Sequence, residues 1–253
     1  MRSSLSKFIL VALVAAAVVA MAGAQEKTTI QVTQGPNGVG YLTDSNGMTL
    51  YYFTKDANGQ SACYGGCANA WPIYYAPTVT FPASLDAEDF GTITRTDGTM
   101  QTTYYGWPLY YWAKDKKPGD MTGEGVGKAW YVLKAPWYSV TVSTSATLGN
   151  YLVDENGMAL YWFTKDSVGQ SACSGDCIKN WPAFTASSIV VPSALNPSDF
   201  GTIKRADGAS QTTYKGYPLY YWVKDTKRGD TTGQDVGKVW YVIDPAKFPP
   251  PTK

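Results

Sequence analysis

The chain from Lys27 to Lys247 is one block of about 110 residues written twice in register. Self-similarity at one fixed period is the signature of repeat architecture, so the duplication predicts two homologous domains, 25–136 and 137–247, each able to fold alone. A Pro-rich tail, 248–253, follows them. The clearest repeated stretches are Tyr41–Asp44 with Tyr151–Asp154, Ser61–Cys63 with Ser171–Cys173, Trp71–Pro72 with Trp181–Pro182, and Gln101–Tyr104 with Gln211–Tyr214.

A shorter motif, Tyr-x-[Phe/Trp]-x-x-Asp, occurs twice in each block. Strand alternation places Tyr51 and Phe53 on one face of the motif segment and Tyr52 on the other, so both faces carry aromatic rings. The motif residues are candidates for a binding site or for a structural core. They are Tyr51, Phe53 and Asp56; Tyr110, Trp112 and Asp115; Tyr161, Phe163 and Asp166; and Tyr220, Trp222 and Asp225.

Each motif aspartate is followed within a few residues by glycine, which predicts a turn. A carboxylate at that point accepts hydrogen bonds from backbone N–H groups about two residues on, and this structural role needs no ligand. The functional alternative is a glycan platform, in which flat rings stack on a sugar and Asp side chains bind hydroxyls. The repeated pairs Asp56 with Asp115, and Asp166 with Asp225, also leave a carboxylate-based glycan hydrolase as an alternative function.

The chain contains no histidine, which excludes Ser-His-Asp and Cys-His nucleophilic sites and histidine-ligated zinc. We therefore expect a non-catalytic protein without a cofactor. The 21 basic and 20 acidic residues nearly cancel and form no run of like charge, so nucleic acid is not an expected partner. The partner is expected to be a surface ligand, such as a glycan or an envelope component.

Residues 1–24 have the three parts of a secretory signal, with cleavage expected after Ala24. The alternative is an uncleaved anchor, although the apolar stretch is shorter than the roughly 20 residues that span a bilayer. No later segment is apolar enough to cross a membrane. Export to an oxidising space favours disulfides Cys63–Cys67 and Cys173–Cys177 over free thiols or a shared four-thiolate zinc site.

The loop from Gly119 to Lys128 is rich in glycine, but it lacks a Gly-Lys-Ser/Thr ending and carries acidic residues that repel phosphate. Calcium fits its chemistry better, with Asp115, Asp120 and Glu124 as possible oxygen ligands. Against calcium, the second block has Gln234 in place of Glu124. We assign no metal to the loop.

Abundant Tyr, Val, Thr and Trp, with glycine turns every eight to twelve residues or so, predict an all-β fold. Asn46-Gly47, Asp97-Gly98 and their counterparts in the second block mark four hairpins. One short helical turn is expected in each block, at 61–71 and 171–181. A closed four-unit β-propeller is the alternative architecture, because each motif copy could begin one blade.

The motif, followed in fixed order by Cys-x-x-x-Cys, Trp-Pro, Asp-Gly-x-x-Gln and Pro-Leu-Tyr-Tyr, resembles the secreted repeat of unknown function found in predicted lipoproteins of bacteria and archaea. The resemblance covers nearly all of the chain after the signal sequence. It implies an exported tandem-repeat protein of the cell envelope or the extracellular space, with no catalytic residue to transfer. No cysteine stands at the expected cleavage point, which argues against lipid anchoring here.

Overall fold

A computed structural model describes residues 29–36 and 38–249. Within those ranges the protein consists of short strands and very short helices, which confirms the all-β prediction. The predicted signal sequence lies outside the described residues. None of the helices described is long and apolar enough to cross a lipid bilayer.

The first block contains eight strands and the second block contains seven. They are β1 (Ile30–Gln34), β2 (Gly40–Asp44), β3 (Tyr51–Phe53), β4 (Phe90–Thr94), β5 (Met100–Tyr104), β6 (Trp107–Pro108), β7 (Trp130–Val132), β8 (Lys134–Ala135), β9 (Val140–Ser145), β10 (Gly149–Asp154), β11 (Tyr161–Phe163), β12 (Phe200–Lys204), β13 (Ser210–Tyr214), β14 (Tyr217–Pro218) and β15 (Trp240–Val242).

Each block builds three small antiparallel sheets. In the first block these are β1-β2-β8, β3-β7 and β4-β5-β6. The second block repeats them as β9-β10, β11-β15 and β12-β13-β14. The sheets close no barrel, and among the described residues none has more than three strands. A propeller needs four-stranded blades around a channel, so that alternative is wrong.

The two Asp-Gly turns close the predicted hairpins. Strands β4 and β5 pair over their full length, from Phe90 opposite Tyr104 to Thr94 opposite Met100. Gly98 has φ +81°, a left-handed conformation that glycine adopts without steric cost. The second block repeats this pairing in β12 and β13.

The two Asn-Gly turns form as well, but the hairpins predicted around them do not extend far beyond the turns. After a single bridge between Thr43 and Thr49 the chain leaves β2. Strand β3 then pairs with β7, and Leu50 accepts a hydrogen bond from the Leu133 N–H (3.1 Å). The partner of the motif strand is therefore the closing Trp-Tyr-Val segment, which is distant in sequence and which turn signals cannot reveal.

The helical turns are shorter than predicted. They comprise α1 (Gly66–Ala70) and α2 (Asp176–Asn180). Helix α1 begins after Gly65, whose φ of +54° is not helical, and ends before Trp71 because Pro72 disfavours a continuing helix. Disulfides Cys63–Cys67 and Cys173–Cys177 close the two turns, with Cα atoms 5.2 and 5.3 Å apart. The disulfide prediction is confirmed, and the zinc and free-thiol alternatives are wrong.

The two blocks share buried aromatic contacts. Tyr52 is fully buried and packs on Trp137 and Tyr138, with ring centroids 5.5 and 6.0 Å apart. Its hydroxyl lies 2.6 Å from Oγ1 of Thr141. Because Trp137 and Tyr138 follow directly after the predicted boundary at 136, the second block begins with side chains that complete the core of the first.

Arg228 also joins the blocks. Its Nη1 donates to the Tyr105 carbonyl (2.9 Å) and its Nε to the Ala57 carbonyl (3.2 Å). Its guanidinium lies 4.5 Å from the ring centre of Trp107. In the first block Pro118 occupies the equivalent position, so this clamp exists only where the second block meets the first.

The start of the predicted tail belongs to the core. Phe248 is only 6% exposed and contacts the rings of Trp162, Tyr214 and Tyr217. Its backbone N–H donates to the Asp244 carbonyl (3.0 Å). The tail is predicted to begin at 248, and the structure places Phe248 in an apolar site of the second block. Residues 250–253 lie outside the described part of the chain.

Candidate functional site

One aromatic residue from each of the two motif copies in a block joins a single stack of rings, which we call the aromatic column. In the first block the order is Phe53, Trp130, Trp71, Trp112, with successive ring centroids 4.0, 3.8 and 4.1 Å apart. The inner pair, Trp71 and Trp130, is nearly parallel, with an interplanar angle of 2°. Phe53 and Trp112 thus come from different motif copies and stand at opposite ends of one column.

The second block repeats the column. Its order is Phe163, Trp240, Trp181, Trp222, with successive centroids 4.2, 3.9 and 4.2 Å apart. All of these rings are buried except Trp222 at the end, which like Trp112 is half-buried. The duplication is therefore reproduced in three dimensions.

Lysine side chains lie over both ends of each column. In the first block Lys55 Nζ is 5.8 Å from the Phe53 ring centre, and Lys114 Nζ is 5.4 Å from that of Trp112. The second block has the same arrangement, with Lys165 over Phe163 at 6.0 Å and Lys224 over Trp222 at 5.5 Å. Ring faces inside the columns are covered by other rings and the outer faces carry lysine. The motif aromatics therefore do not form an open stacking platform for a sugar.

The tyrosine of each motif copy bonds the aspartate of the other copy. Tyr110 Oη donates to Asp56 Oδ2 (2.7 Å), and Tyr51 Oη donates to Asp115 Oδ2 (2.7 Å). The same two tyrosines exchange backbone hydrogen bonds, with N–H to O=C distances of 2.9 and 3.0 Å. The two halves of a block are thus related by an approximate two-fold arrangement around this tyrosine pair.

The second block contains the same exchange. Tyr220 donates to Asp166 (2.8 Å) and Tyr161 donates to Asp225 (2.6 Å). All four tyrosines are fully buried. The spacing of the motif is explained by this exchange, because Tyr and Asp of one copy must reach Asp and Tyr of the other.

The second oxygen of each aspartate accepts from the backbone, but not where the sequence analysis expected. Asp56 Oδ1 accepts from the N–H of Ala62 (2.7 Å), six residues on rather than two. Asp115 Oδ1 accepts from both the N–H and the hydroxyl of Thr122 (3.0 and 2.6 Å), seven residues on. The carboxylates therefore hold the far end of the following loop rather than a tight turn.

Burial raises the pKa of Asp56 to about 7, although the hydrogen bonds from Tyr110 and Ala62 and the charges of Arg95 and Arg228 oppose the shift. In the second block burial raises the pKa of Asp166 to about 6, opposed by Ala172, Tyr220 and Arg205. Desolvation disfavours the ionised form, so both carboxyls take up protons more readily than an exposed aspartate does.

A buried arginine extends this network to the disulfide turn. Arg95 Nη1 donates to Ser61 Oγ (2.5 Å) and to Gln101 Oε1 (2.8 Å), while Nη2 donates to the carbonyl of Cys63 (2.7 Å). Ser61 Oγ in turn lies 2.7 Å from Tyr110 Oη. Arg205, Ser171, Gln211, Cys173 and Tyr220 repeat the arrangement in the second block.

The candidate residues of the sequence analysis omitted half of this site. Missing were the inner column tryptophans and the arginine network, formed by Trp71, Trp130, Trp181, Trp240, Arg95, Arg205, Gln101 and Gln211. A usable signal was present, because Trp-Pro, Trp-Tyr-Val and Arg-x-Asp-Gly-x-x-Gln all recur in both blocks. The motif by itself does not indicate that these other repeated stretches pack against its residues.

The glycine-rich loop does not assemble a cation site. Glu124 Oε2 accepts from the Val132 N–H (2.7 Å), and Gln234 makes the same bond to Val242 (2.9 Å). Asp120 accepts from the N–H groups of Lys116 and Lys117 (2.9 and 3.1 Å). The acidic residues thus accept hydrogen bonds from backbone N–H groups. No cluster of potential metal ligands occurs among the described residues.

A cleft of about 280 Å³ lies where the two blocks meet. Tyr105 of the first block and Trp137 at the start of the second line the cleft, with rings 5.8 Å apart and nearly parallel at 13°. The second block contributes carboxylates, hydroxyls and aromatic rings. Its lining residues include Asp154, Glu155, Phe184, Thr185, Ser187, Ser188 and Tyr221.

Four segments of the chain, 29–74, 91–134, 142–185 and 201–244, match the family described as a secreted repeat of unknown function. Each segment contains one copy of the Tyr-x-[Phe/Trp]-x-x-Asp motif, so the resemblance seen in the sequence is confirmed, as is the secreted localisation that it implied. No curated protein and no solved structure matches the chain. The protein therefore belongs to the family of secreted repeats of unknown function, and it carries four of them.

Proposed function

We propose that this protein is a non-catalytic binding module that takes a glycan of the cell envelope in the cleft between its two blocks. The observation that carries the proposal is the lining of that cleft, where aromatic rings, hydroxyls and a carboxylate at the rim converge. Sugars bind to such sites because rings cover their C–H faces while polar side chains bond their hydroxyls.

The rim carboxylate belongs to Glu155, which is exposed to solvent. Partial burial, together with the nearby carboxylates of Asp154 and Asp89, raises the pKa of Glu155. Its backbone carbonyl accepts from Trp137 Nε1 (3.0 Å), so the cleft wall is tied to the link between the blocks. A sugar hydroxyl donating to Glu155 would stabilise the ionised form of this carboxylate.

The cleft lining includes residues that are not repeated in the other block. In the register of the duplication, Ser45 stands in the place of Glu155, and Lys215 in the place of Tyr105. The proposed site therefore uses residues that distinguish the blocks, and it depends on the apposition of the two blocks.

The repeat itself supplies matched variants. Tyr105→Lys and Glu155→Ser each introduce the residue that the other block already carries at the same backbone position, and Tyr105 and Lys215 share a left-handed φ of 48° and 47°. Purified protein is tested against a panel of glycans and cell-wall polymers, and binders are titrated by calorimetry. We expect each variant to lose binding, whereas the reverse changes Ser45→Glu and Lys215→Tyr, which lie outside the cleft, retain it.

Equal binding by all four variants would refute the cleft as the binding site. The hydrolase alternative is tested on the same panel by assaying for released reducing ends. We expect none, since the paired motif aspartates are buried and both carboxylate oxygens of each accept hydrogen bonds from the protein. Bond cleavage that is lost in Asp56→Asn or Asp115→Asn would favour the hydrolase instead.

A further inference from the structure

The aromatic columns take no part in the proposed binding function, and their geometry suits a different chemistry. Parallel rings in van der Waals contact share π electron density, and tryptophan and tyrosine are the side chains that lose an electron most readily. We propose that each block is a one-electron oxidation site, in which the column gives an electron to an external oxidant and Tyr110, or Tyr220, refills it. The oxidant is of the free-radical or high-potential metal-complex class.

The entry point is the half-buried end of the column. Trp112 and Trp222 retain contact with solvent, whereas the inner tryptophans, such as Trp71 and Trp130, are 4% and 5% exposed. A small oxidant at the surface therefore meets Trp112 or Trp222 first. Removal of one electron from that ring creates a radical cation.

The lysines direct this positive charge inward. Lys55 and Lys114 place an ammonium over the two end rings, and a positive charge on either end ring is repelled by it. Trp71 and Trp130 lie one ring farther from an ammonium and face each other at 3.8 Å. The positive charge left by the lost electron is therefore most stable on the inner pair, Trp71 and Trp130.

Tyr110 is positioned to donate an electron to the oxidised inner pair. Its ring meets Trp130 edge-on with centroids 5.1 Å apart, and its hydroxyl donates to Asp56 at 2.7 Å. An oxidised phenol must release its proton, and the carboxylate receives it. In this step Tyr110 loses one electron to Trp130 and its O–H bond breaks, while Asp56 gains the proton. The products are neutral Trp130, a neutral tyrosyl radical and a protonated Asp56.

The other tyrosine of the pair is less suited to this role. Tyr51 also meets the column edge-on, 5.4 Å from Trp71, but its partner Asp115 accepts two further hydrogen bonds from Thr122. Asp56 accepts only one besides that of Tyr110, from Ala62. Fewer donors and complete burial favour the protonated form of Asp56, and its pKa of about 7 agrees with that.

Photogenerated tris(bipyridine)ruthenium(III) is a suitable oxidant, with transient absorption and freeze-quench EPR as readouts. In the full-length protein we expect a tryptophan radical cation that converts to a neutral tyrosyl radical. The double variant Tyr110→Phe with Tyr220→Phe should lose the tyrosyl signal and keep a longer-lived tryptophan signal. Tyr75→Phe, which changes a tyrosine that is 42% exposed, should behave like the parent. An undiminished tyrosyl yield in the double variant would overturn the proposal.

The proton step has its own test. Asp56→Asn with Asp166→Asn removes the acceptor, and the conversion should slow on the order of a hundredfold, the usual effect of a positioned general base. If near-ultraviolet circular dichroism shows that this variant is unfolded, the parent protein is measured in D₂O instead. A slower conversion there supports the proton step, and an unchanged rate contradicts it.

Discussion

The outer face of the motif strand is covered by aromatic rings in both blocks, but these rings come from different parts of the chain. In the first block Tyr52 on β3 is covered by Trp137 and Tyr138, which lead into the second block. In the second block Trp162 on β11 is covered by Phe248, near the end of the chain, with ring centroids 5.2 Å apart. The same apolar site is thus closed once by the next repeat and once by a terminal segment.

This difference shows how a tandem repeat is ended. In the register of the duplication Trp137 aligns with Lys247 and Tyr138 aligns with Phe248, so the second block keeps one of the two covering rings. The second block carries an aromatic cap of its own, whereas the first depends on its neighbour.

The largest effect is expected from separating the first block from its cover. A fragment of residues 25–136 lacks Trp137 and Tyr138, and we expect it to be less stable than a fragment of residues 25–139 by on the order of 5 kcal/mol, because burying one large aromatic is already worth 3–5. Urea unfolding of both fragments measures the difference. Equal midpoints would mean that Tyr52 does not need its cover.

Removal of the motif carboxylate should cost nearly as much, and equally in both blocks. Asp56→Ala leaves the Tyr110 hydroxyl and the Ala62 N–H without their buried acceptor, so we expect a loss of about 3–5 kcal/mol rather than the roughly 1 of a lost turn cap. Asp166→Ala is the matched change in the second block. Chemical denaturation of the full chain compares them, and a loss near 1 kcal/mol would restore the simple capping role.

The same carboxyls predict a pH dependence of stability. The folded protein holds the protons of Asp166 and Asp56 up to pKa values of about 6 and 7, while the unfolded chain releases them near 3.9. This contribution to stability is therefore fully present below pH 4 or so, and is lost as the pH rises through about 6 for Asp166 and about 7 for Asp56.

The pKa shift of about two units at Asp166 corresponds to about 3 kcal/mol, and the shift of about three units at Asp56 corresponds to about 4 kcal/mol. Urea unfolding at pH 4.5 to 7.5, in steps of roughly half a unit, should show the free energy of unfolding falling as the pH rises. Asp56→Asn should remove the fall in stability above about pH 6 and halve it below that pH, where both groups contribute, whereas Asp166→Asn should only halve it below about pH 6. Asp176→Asn, at a 90% exposed carboxylate, is the control and should leave the slope unchanged. If the unfolding free energy depends on pH in the same way in all three variants, the assignment of this dependence to Asp56 and Asp166 is contradicted.

The smallest expected effect concerns the terminal cap. Phe248→Ala should destabilise the full chain by about 2–3 kcal/mol, below the 3–5 usual for a buried aromatic, because the chain end can move to fill the space. Thermal unfolding followed by tryptophan fluorescence measures the change, since Trp162 contacts the deleted ring. A larger loss than in Trp137→Ala would reverse the comparison between the two caps.

Several features were predictable from local signals. The Asp97-Gly98 hairpin, the Cys63–Cys67 disulfide and the two aromatic faces of the motif strand all depend on residues near each other in the chain. The partner of β3 was not predictable in this way. Its pairing with β7 links residues that are far apart in sequence, and no turn between them sets the register.

The candidate site was predictable in composition but not in arrangement. All twelve motif residues lie in the two duplicated networks, yet the sequence did not indicate that Tyr110 bonds Asp56, or that Phe53 and Trp112 end one column. The aspartates were expected to cap nearby turns, and they instead hold Ala62 and Thr122. Hydrogen bonds over such separations are set by chain topology.

By itself the sequence determined the repeat, the strand-forming character of the chain, the cysteine pairs and the absence of histidine chemistry. These follow from residue type and short-range spacing, which act before any tertiary contact forms. Only the tertiary structure decided which tyrosine meets which aspartate, that the tryptophans stack, and that Trp137 and Phe248 close the same face of different blocks. Those outcomes depend on packing between distant segments, where shape and burial, rather than local preference, select the partner.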